Sequence, residues 1–427
     1  MKNLFLKSTL ILLIGTMISK CLGFFIKIIL VRIIGDGINI YSLIMPTYSL
    51  LIAITQLGLP YAISCIMAKN NNRGIHIIAS IIPITLLFNV VIIAFILFFA
   101  PILSNTLLKS SETYYPIISI CFVLPFTSIS GIIKGYYFGK QNMMPNAIST
   151  IIEQLVRLIL LIVVIPFLLK KSITLAVSGY VIISAVSEIA QIIVYLFFLP
   201  KNISITLSDL KIRVPLMNEI LSISIPNLSG RLIGNICYFF EPIILTNILL
   251  FVGYSKNFIQ GEYGVYNAYV IPILTMPAFI SLAINTTLIP EVSKNYNNKS
   301  YIRKLLKKCI FISLLIGIIY CIFLYFRSDF LLDILYDTNK GIDYIKLLAI
   351  FFPLFYIEGP LSSVLQGLNL SKYTMQTTLI GCIIKIISLA VLSFLSIGIY
   401  GLVISEIIDI LAVNYLNIKK LKELGYI

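Results

Sequence analysis

The chain has 427 residues, of which 59% are hydrophobic and 11% charged, with a mean hydropathy of +1.02. Apolar runs of 18 or more residues recur along its whole length and the polar stretches between them are short, so the sequence specifies a polytopic helical membrane protein with no room for a separate soluble domain. The net charge of +15 is distributed over loops rather than gathered in a basic domain, which leaves nucleic-acid binding without support.

Hydropathy predicts 12 spans, at about 10–34, 41–67, 76–99, 115–138, 147–169, 173–198, 219–252, 265–289, 305–326, 345–367, 373–396 and 398–418. The first lacks a small-residue cleavage site and carries internal charge, so it reads as a retained span rather than a signal peptide. Its lysines, Lys20 and Lys27, are seven residues apart, two helical turns, and lie on one face. A charged side chain at mid-bilayer costs roughly 2.5–3.5 kcal/mol on insertion scales, so such residues ordinarily face a bundle interior or a watery cavity. Span 7 repeats the pattern with Ser229-Gly230-Arg231.

With this map, loops on the side of the N-terminus hold 18 basic residues and the opposite loops 7, which predicts that both termini are cytoplasmic. The 7 cysteines are scattered through apolar segments without a CxxC, so neither a disulfide framework nor a zinc site is indicated. The single histidine, His76, stands at the entrance of span 3 and reads as interfacial.

Two halves share a plan. Ile133-Lys134-Gly135-Tyr136-Tyr137-Phe138-Gly139-Lys140 aligns with Leu365-Gln366-Gly367-Leu368-Asn369-Leu370-Ser371-Lys372, an offset of 232 residues. Leu59-Pro60 is echoed by Ile289-Pro290, and Lys20 by Arg231. Six spans separate the copies, an even number, so the repeats are parallel and a substrate site is expected where they meet. The expected organisation is a six-helix lobe at 1–199, a cytoplasmic interfacial linker at 200–218 and a second six-helix lobe at 219–427. Residues 291–308, where Lys and Arg alternate with Tyr, Ile and Leu, suit an anionic leaflet surface.

Two motifs carry a resemblance. The run Ser19-Lys20-Cys21-Leu22-Gly23-Phe24-Phe25-Ile26-Lys27 resembles the first span of lipid-linked oligosaccharide flippases in the multidrug/oligosaccharidyl-lipid/polysaccharide exporter superfamily. Pro145-Asn146-Ala147-Ile148-Ser149, followed by Ile152-Glu153-Gln154-Leu155-Val156-Arg157, is similar to span 5 of its stage V sporulation protein B branch. The resemblance covers nearly the whole chain. It implies two lobes in a V, a central cationic cavity, and movement of an undecaprenyl-pyrophosphate-linked sugar between leaflets of the bacterial cytoplasmic membrane by alternating access. The substrate would be lipid II-like or another polysaccharide unit. It also implies a carrier rather than an enzyme, working among membrane lipids; the sequence leaves the oligomeric state open, with a monomer favoured.

By position, Lys20, Lys27 and Arg231 match the cavity cations that grip the pyrophosphate, with Arg157 added from span 5. Two features depart from the family pattern. Members of the branch often have 14 spans, the last pair helping to form a lipid-tail groove in lipid II flippases. The span 1 cations are lysine where arginine is common, and lysine lacks the bidentate fork.

Glu153 and Arg157 are four apart on one face, so they either neutralise each other or form a restraint that substrate phosphate displaces. Lys134 and Lys140 flank the loop between spans 4 and 5 and read chiefly as topology determinants, with a cavity role open for Lys134. In the second half, related transporters can use acids for a sodium or proton site, for which Glu241 is the candidate. The competing reading is a salt bridge between Glu241 and Lys385, the lysine standing in for a cation. No other cofactor or metal is expected. Glu188 and Glu406 read as packing-interface or helix-end acids, and Glu358 lies in span 10. Pro46, Gly58, Pro60, Pro272, Pro277 and Pro290 mark spans 2 and 8 as sites of kinks. Two rival functions stand beside the flippase: a cation-coupled multidrug exporter, which calls for carboxylates in the first-lobe cavity, and a membrane enzyme of polyprenyl-sugar metabolism, which calls for a clustered acidic motif that 327–344 does not show.

Overall fold

A computed structural model describes residues 2–69, 74–199 and 214–427, and these contain helices and connecting turns with no strand among them. In chain order the helices are α1 (Lys2–Ile34), α2 (Gly37–Gln56), α3 (Leu59–Lys69), α4 (Gly74–Pro101), α5 (Tyr114–Gly139), α6 (Met144–Leu169), α7 (Ile173–Phe197), α8 (Val214–Val252), α9 (Lys256–Val265), α10 (Ile271–Leu274), α11 (Ala278–Lys294), α12 (Lys299–Tyr336), α13 (Ile342–Phe351), α14 (Pro353–Gly367), α15 (Ser371–Ser393) and α16 (Tyr400–Glu423). The chain divides into two compact units, Met1–Asn235 and Ile236–Ile427, and the division falls inside α8. Of the expected linker, residues 200–213 lie outside the described residues, as does the side chain of His76.

Among the described residues, nine helical stretches are long and apolar enough to cross a membrane, and α13 with α14 make a tenth, bent by 46° where Pro353 follows Phe352. These ten coincide with expected spans 2–7 and 9–12. The first expected span falls in α1, and the eighth falls where α10 ends at Leu274 and α11 begins at Ala278. The chain is a multi-pass membrane protein.

The kinks have local causes. Span 2 is broken between α2 and α3, where Leu57 and Gly58 both take positive φ, +46° and +64°. Gly58 is required twice over: its φ suits glycine, and a Cβ there would lie 3.2 Å from the Ser224 carbonyl of α8. In the first unit α5 lies close along α3. A methyl added at Gly135 would sit 2.8 Å from the Pro60 carbonyl and 2.9 Å from Ile63 Cβ, and one at Gly139 would collide with Met67. Small residues let helix backbones approach where lipid supplies no hydrophobic drive between helices. The second unit shows the same approach between α14 and α11, where a methyl at Gly367 would sit 2.9 Å from the Ile289 carbonyl and 2.7 Å from Val292 Cβ. These are the landmarks that align in the sequence.

Each contact lies in a buried apolar cluster. The first joins Leu59, Ile63 and Met67 to Ile132 and Tyr136, and the second joins Leu288 and Val292 to Leu361 and Leu365. Asn146, from the span 5 motif, ties α6 to α7 by accepting a hydrogen bond from the Tyr195 hydroxyl at 2.8 Å.

Candidate functional site

The first unit contains a partly open cavity of about 660 Å³, lined by residues of α2, α3, α5, α6, α7 and α8. Its charged lining consists of Lys134, Arg231, Glu153 and Glu188. These charges come from four helices, α5, α8, α6 and α7, and gather on one cavity, where water or a polar ligand can meet an ionised group that hydrocarbon cannot. Glu153 is 8% exposed and is already engaged. Arg157, one turn further along α6, donates to its Oε1 at 2.6 Å, and Gln154 Nε2 donates to the same oxygen at 3.3 Å. Glu188 of α7 accepts a 2.6 Å hydrogen bond from Ser130 Oγ of α5.

Lys134 and Arg231 are different. Both line the cavity, and neither makes an ion pair among the described residues. Lys134 Nζ lies 5.6 Å from the centre of the Phe138 ring, one helical turn away, and is within electrostatic reach of Glu153, Glu188 and Arg231. Counting Arg157, three cations face two carboxylates. A half-buried ammonium and an exposed guanidinium on one cavity wall, neither in an ion pair among the described residues, suit an anion of phosphate type: the guanidinium offers a planar fork and the ammonium a compact point charge.

The sequence-derived site residues are therefore distributed as follows. Arg231 and Glu153 line the cavity, and Arg157 stands behind Glu153. Lys20, exposed, and Lys27, half-buried, lie on α1 and are not among the lining residues. Alpha-helix 1 packs along α6, close enough that a methyl at Gly23 would lie 3.6 Å from the Gln154 amide oxygen. Glu188, read as a packing acid, lines the cavity, as does Lys134. The one signal in the sequence was charge within a span, which does not tell a cavity from a helix interface.

Glu241 lies in the second unit, 1% exposed. Lys385 Nζ of α15 stands 2.8 Å from its Oε2 and 2.6 Å from Oε2 of Glu406 on α16. The Tyr263 hydroxyl donates to the other oxygen of Glu241 at 3.3 Å. Among the described residues no group of three or more His, Cys, Asp or Glu side chains is placed to hold a metal ion.

The class of this helical multi-pass protein, a membrane transporter, is given by comparisons with known proteins. Residues 5–296 match the family described as polysaccharide biosynthesis protein, and residues 242–392 match MatE. Stage V sporulation protein B of Bacillus subtilis (strain 168) is 34% identical over 97% of this chain and 83% of its own length. Two solved structures share the fold. Lipid II flippase MurJ in an inward closed conformation has a TM-score of 0.72 at 15% identity, covering 97% of this chain and 87% of that one. An inward-facing multidrug resistance MATE family transporter has a TM-score of 0.71 at 16% identity, covering 94% and 95%. The chain belongs to the polysaccharide biosynthesis protein family, within the multidrug/oligosaccharidyl-lipid/polysaccharide exporter superfamily.

Proposed function

We propose that this protein is a flippase, moving an undecaprenyl-pyrophosphate-linked sugar from the inner to the outer leaflet of the bacterial cytoplasmic membrane by alternating access. The observation that carries this reading is the pair Lys134 and Arg231, two cations that make no ion pair among the described residues and line one cavity in the membrane-spanning part of the first unit. Pyrophosphate supplies the anionic oxygens they lack. Glu153 and Arg157 belong to the same proposal as a restraint, with Arg157 released to the phosphate when substrate competes for it. Lys20 and Lys27 of α1 contribute further cations on the route of the head group. Both termini are cytoplasmic, as the loop charges require. The family match and the similarity to stage V sporulation protein B support a polysaccharide or peptidoglycan precursor as the sugar.

The MatE match and the MATE-like fold favour a second reading, export of organic cations. Such a cargo needs an available carboxylate, and here Glu153 is paired with Arg157, while Glu188, which accepts from Ser130, shares its cavity with the cations Lys134 and Arg231.

The test is leaflet accessibility of a labelled undecaprenyl-pyrophosphate sugar in proteoliposomes. Each charge-assisted hydrogen bond to phosphate contributes about 1.5–3 kcal/mol. Lys134→Gln and Arg231→Gln should therefore each weaken half-saturation by roughly tenfold or more, with the protein still inserted and folded. Lys109→Gln, at an exposed turn, is the control. Wild-type flipping by the double Lys134→Gln, Arg231→Gln variant at every substrate concentration would refute the reading.

A further inference from the structure

The second unit presents a separate electrostatic problem. Three of its candidate spans, containing the described parts of α8, α15 and α16, bring Glu241, Lys385 and Glu406 together. Taking an ion out of water costs several kcal/mol even after relaxation, so a buried carboxylate needs a cation beside it. Here the cation is part of the chain. One ammonium is shared between two carboxylates on different helices, at 2.8 Å and 2.6 Å. Both oxygens of Glu241 are occupied, Oε2 by Lys385 and Oε1 by the Tyr263 hydroxyl. Two more acids lie within electrostatic reach. Asp409, about one turn beyond Glu406 on α16, packs so close to α15 that a methyl at Gly381 would sit 2.5 Å from its Oδ1, and Glu358 projects from α14.

We infer that Lys385 is the resident cation of this cluster: its ammonium fills the place between Glu241 and Glu406 that a free monovalent metal ion would otherwise occupy, so sodium does not bind there in this protein. A tethered ammonium is already ordered by the fold and loses no translational freedom on meeting the carboxylates, as a dissolved ion would, and the four-carbon stem of lysine lets it reach both of them. The cluster then joins α8, α15 and α16 as a fixed element of the unit. This inference is independent of what the first unit binds.

The experiment is thermal unfolding of the purified full-length protein in sodium chloride and in N-methylglucamine chloride at equal ionic strength. The wild type should show no sodium-specific shift. Lys385→Ala leaves two carboxylates facing a gap. It should melt below wild type without sodium and regain roughly 3 °C or more, saturably, when sodium enters the gap. Adding Glu241→Gln and Glu406→Gln to Lys385→Ala should abolish that response. A sodium-specific shift in the wild type that disappears in Glu241→Gln overturns the inference, as does a folded Lys385→Ala protein with no more sodium response than wild type. If Lys385→Ala does not fold, equilibrium binding of radiolabelled sodium to wild type decides. No binding that depends on Glu241 is the supporting result, and saturable binding lost in Glu241→Gln overturns it.

Discussion

Replacing Glu153 with Gln isolates the one charged pair in the first unit that the sequence spacing anticipated and the structure contains. Arg157 donates to Glu153 Oε1 at 2.6 Å, and the two side chains are 17% and 11% exposed, so water screens the pair little. Among the described residues Arg157 Nε has no hydrogen-bond partner, and Glu153 is the carboxylate that the guanidinium contacts. Two unit charges 4 Å apart attract by about 4 kcal/mol at an effective dielectric of 20, and removing one partner of a buried pair typically costs about 3–5 kcal/mol because the other is left uncompensated. For a unit of this size, with an unfolding entropy of roughly 0.5 kcal/mol per kelvin, that is a fall of roughly 6–10 °C in melting temperature. The double variant Glu153→Gln, Arg157→Gln removes both charges and should recover most of the loss. The assay is a double-mutant cycle by thermal unfolding, run beside flipping in proteoliposomes. If Glu153 restrains a cation until phosphate competes for it, the single variant, where still folded, also shifts the substrate concentration for half-maximal flipping. A Glu153→Gln protein melting at the wild-type temperature, or a double variant no more stable than the single, would refute the reasoning.

Other outcomes follow from the same geometry. Gly135→Ala and Gly367→Ala should each destabilise by about 1–3 kcal/mol, since the added methyl meets backbone carbonyls at 2.8 Å and 2.9 Å, whereas Gly230→Ala, with nothing within 4 Å, should be neutral or stabilising; thermal unfolding separates the two classes. Single cysteines in a cysteine-free background should be labelled from outside intact cells at 254–262 and should stay protected at 291–308 and in the C-terminal tail, and external labelling of 291–308 would reverse the topology. Lys20→Gln with Lys27→Gln should slow flipping while leaving insertion intact, and an unchanged rate would remove α1 from the route of the head group.

The sequence determined what depends on local composition. Hydrophobic runs of sufficient length placed ten of the expected spans on helices or helix pairs that the structure contains, because hydrocarbon forces every backbone group into internal hydrogen bonds. Four-residue spacing placed Glu153 beside Arg157, and charge complementarity anticipated the contact of Glu241 with Lys385. The tertiary structure decided which charges meet across helices. Lys134, Glu188 and Arg231 share a cavity although they come from α5, α7 and α8, while Lys20 and Lys27 do not line it. Glu406 completes the Lys385 cluster although it reads alone as a helix-end acid. The physical reason is that a membrane helix is apolar on all sides, so its sequence carries no amphipathic stripe to say which face points inward. That face is set by close packing at points such as Gly135 on Pro60 and Gly367 on Ile289, where the absence of a side chain sets how near two helices come and so which of their charges can meet.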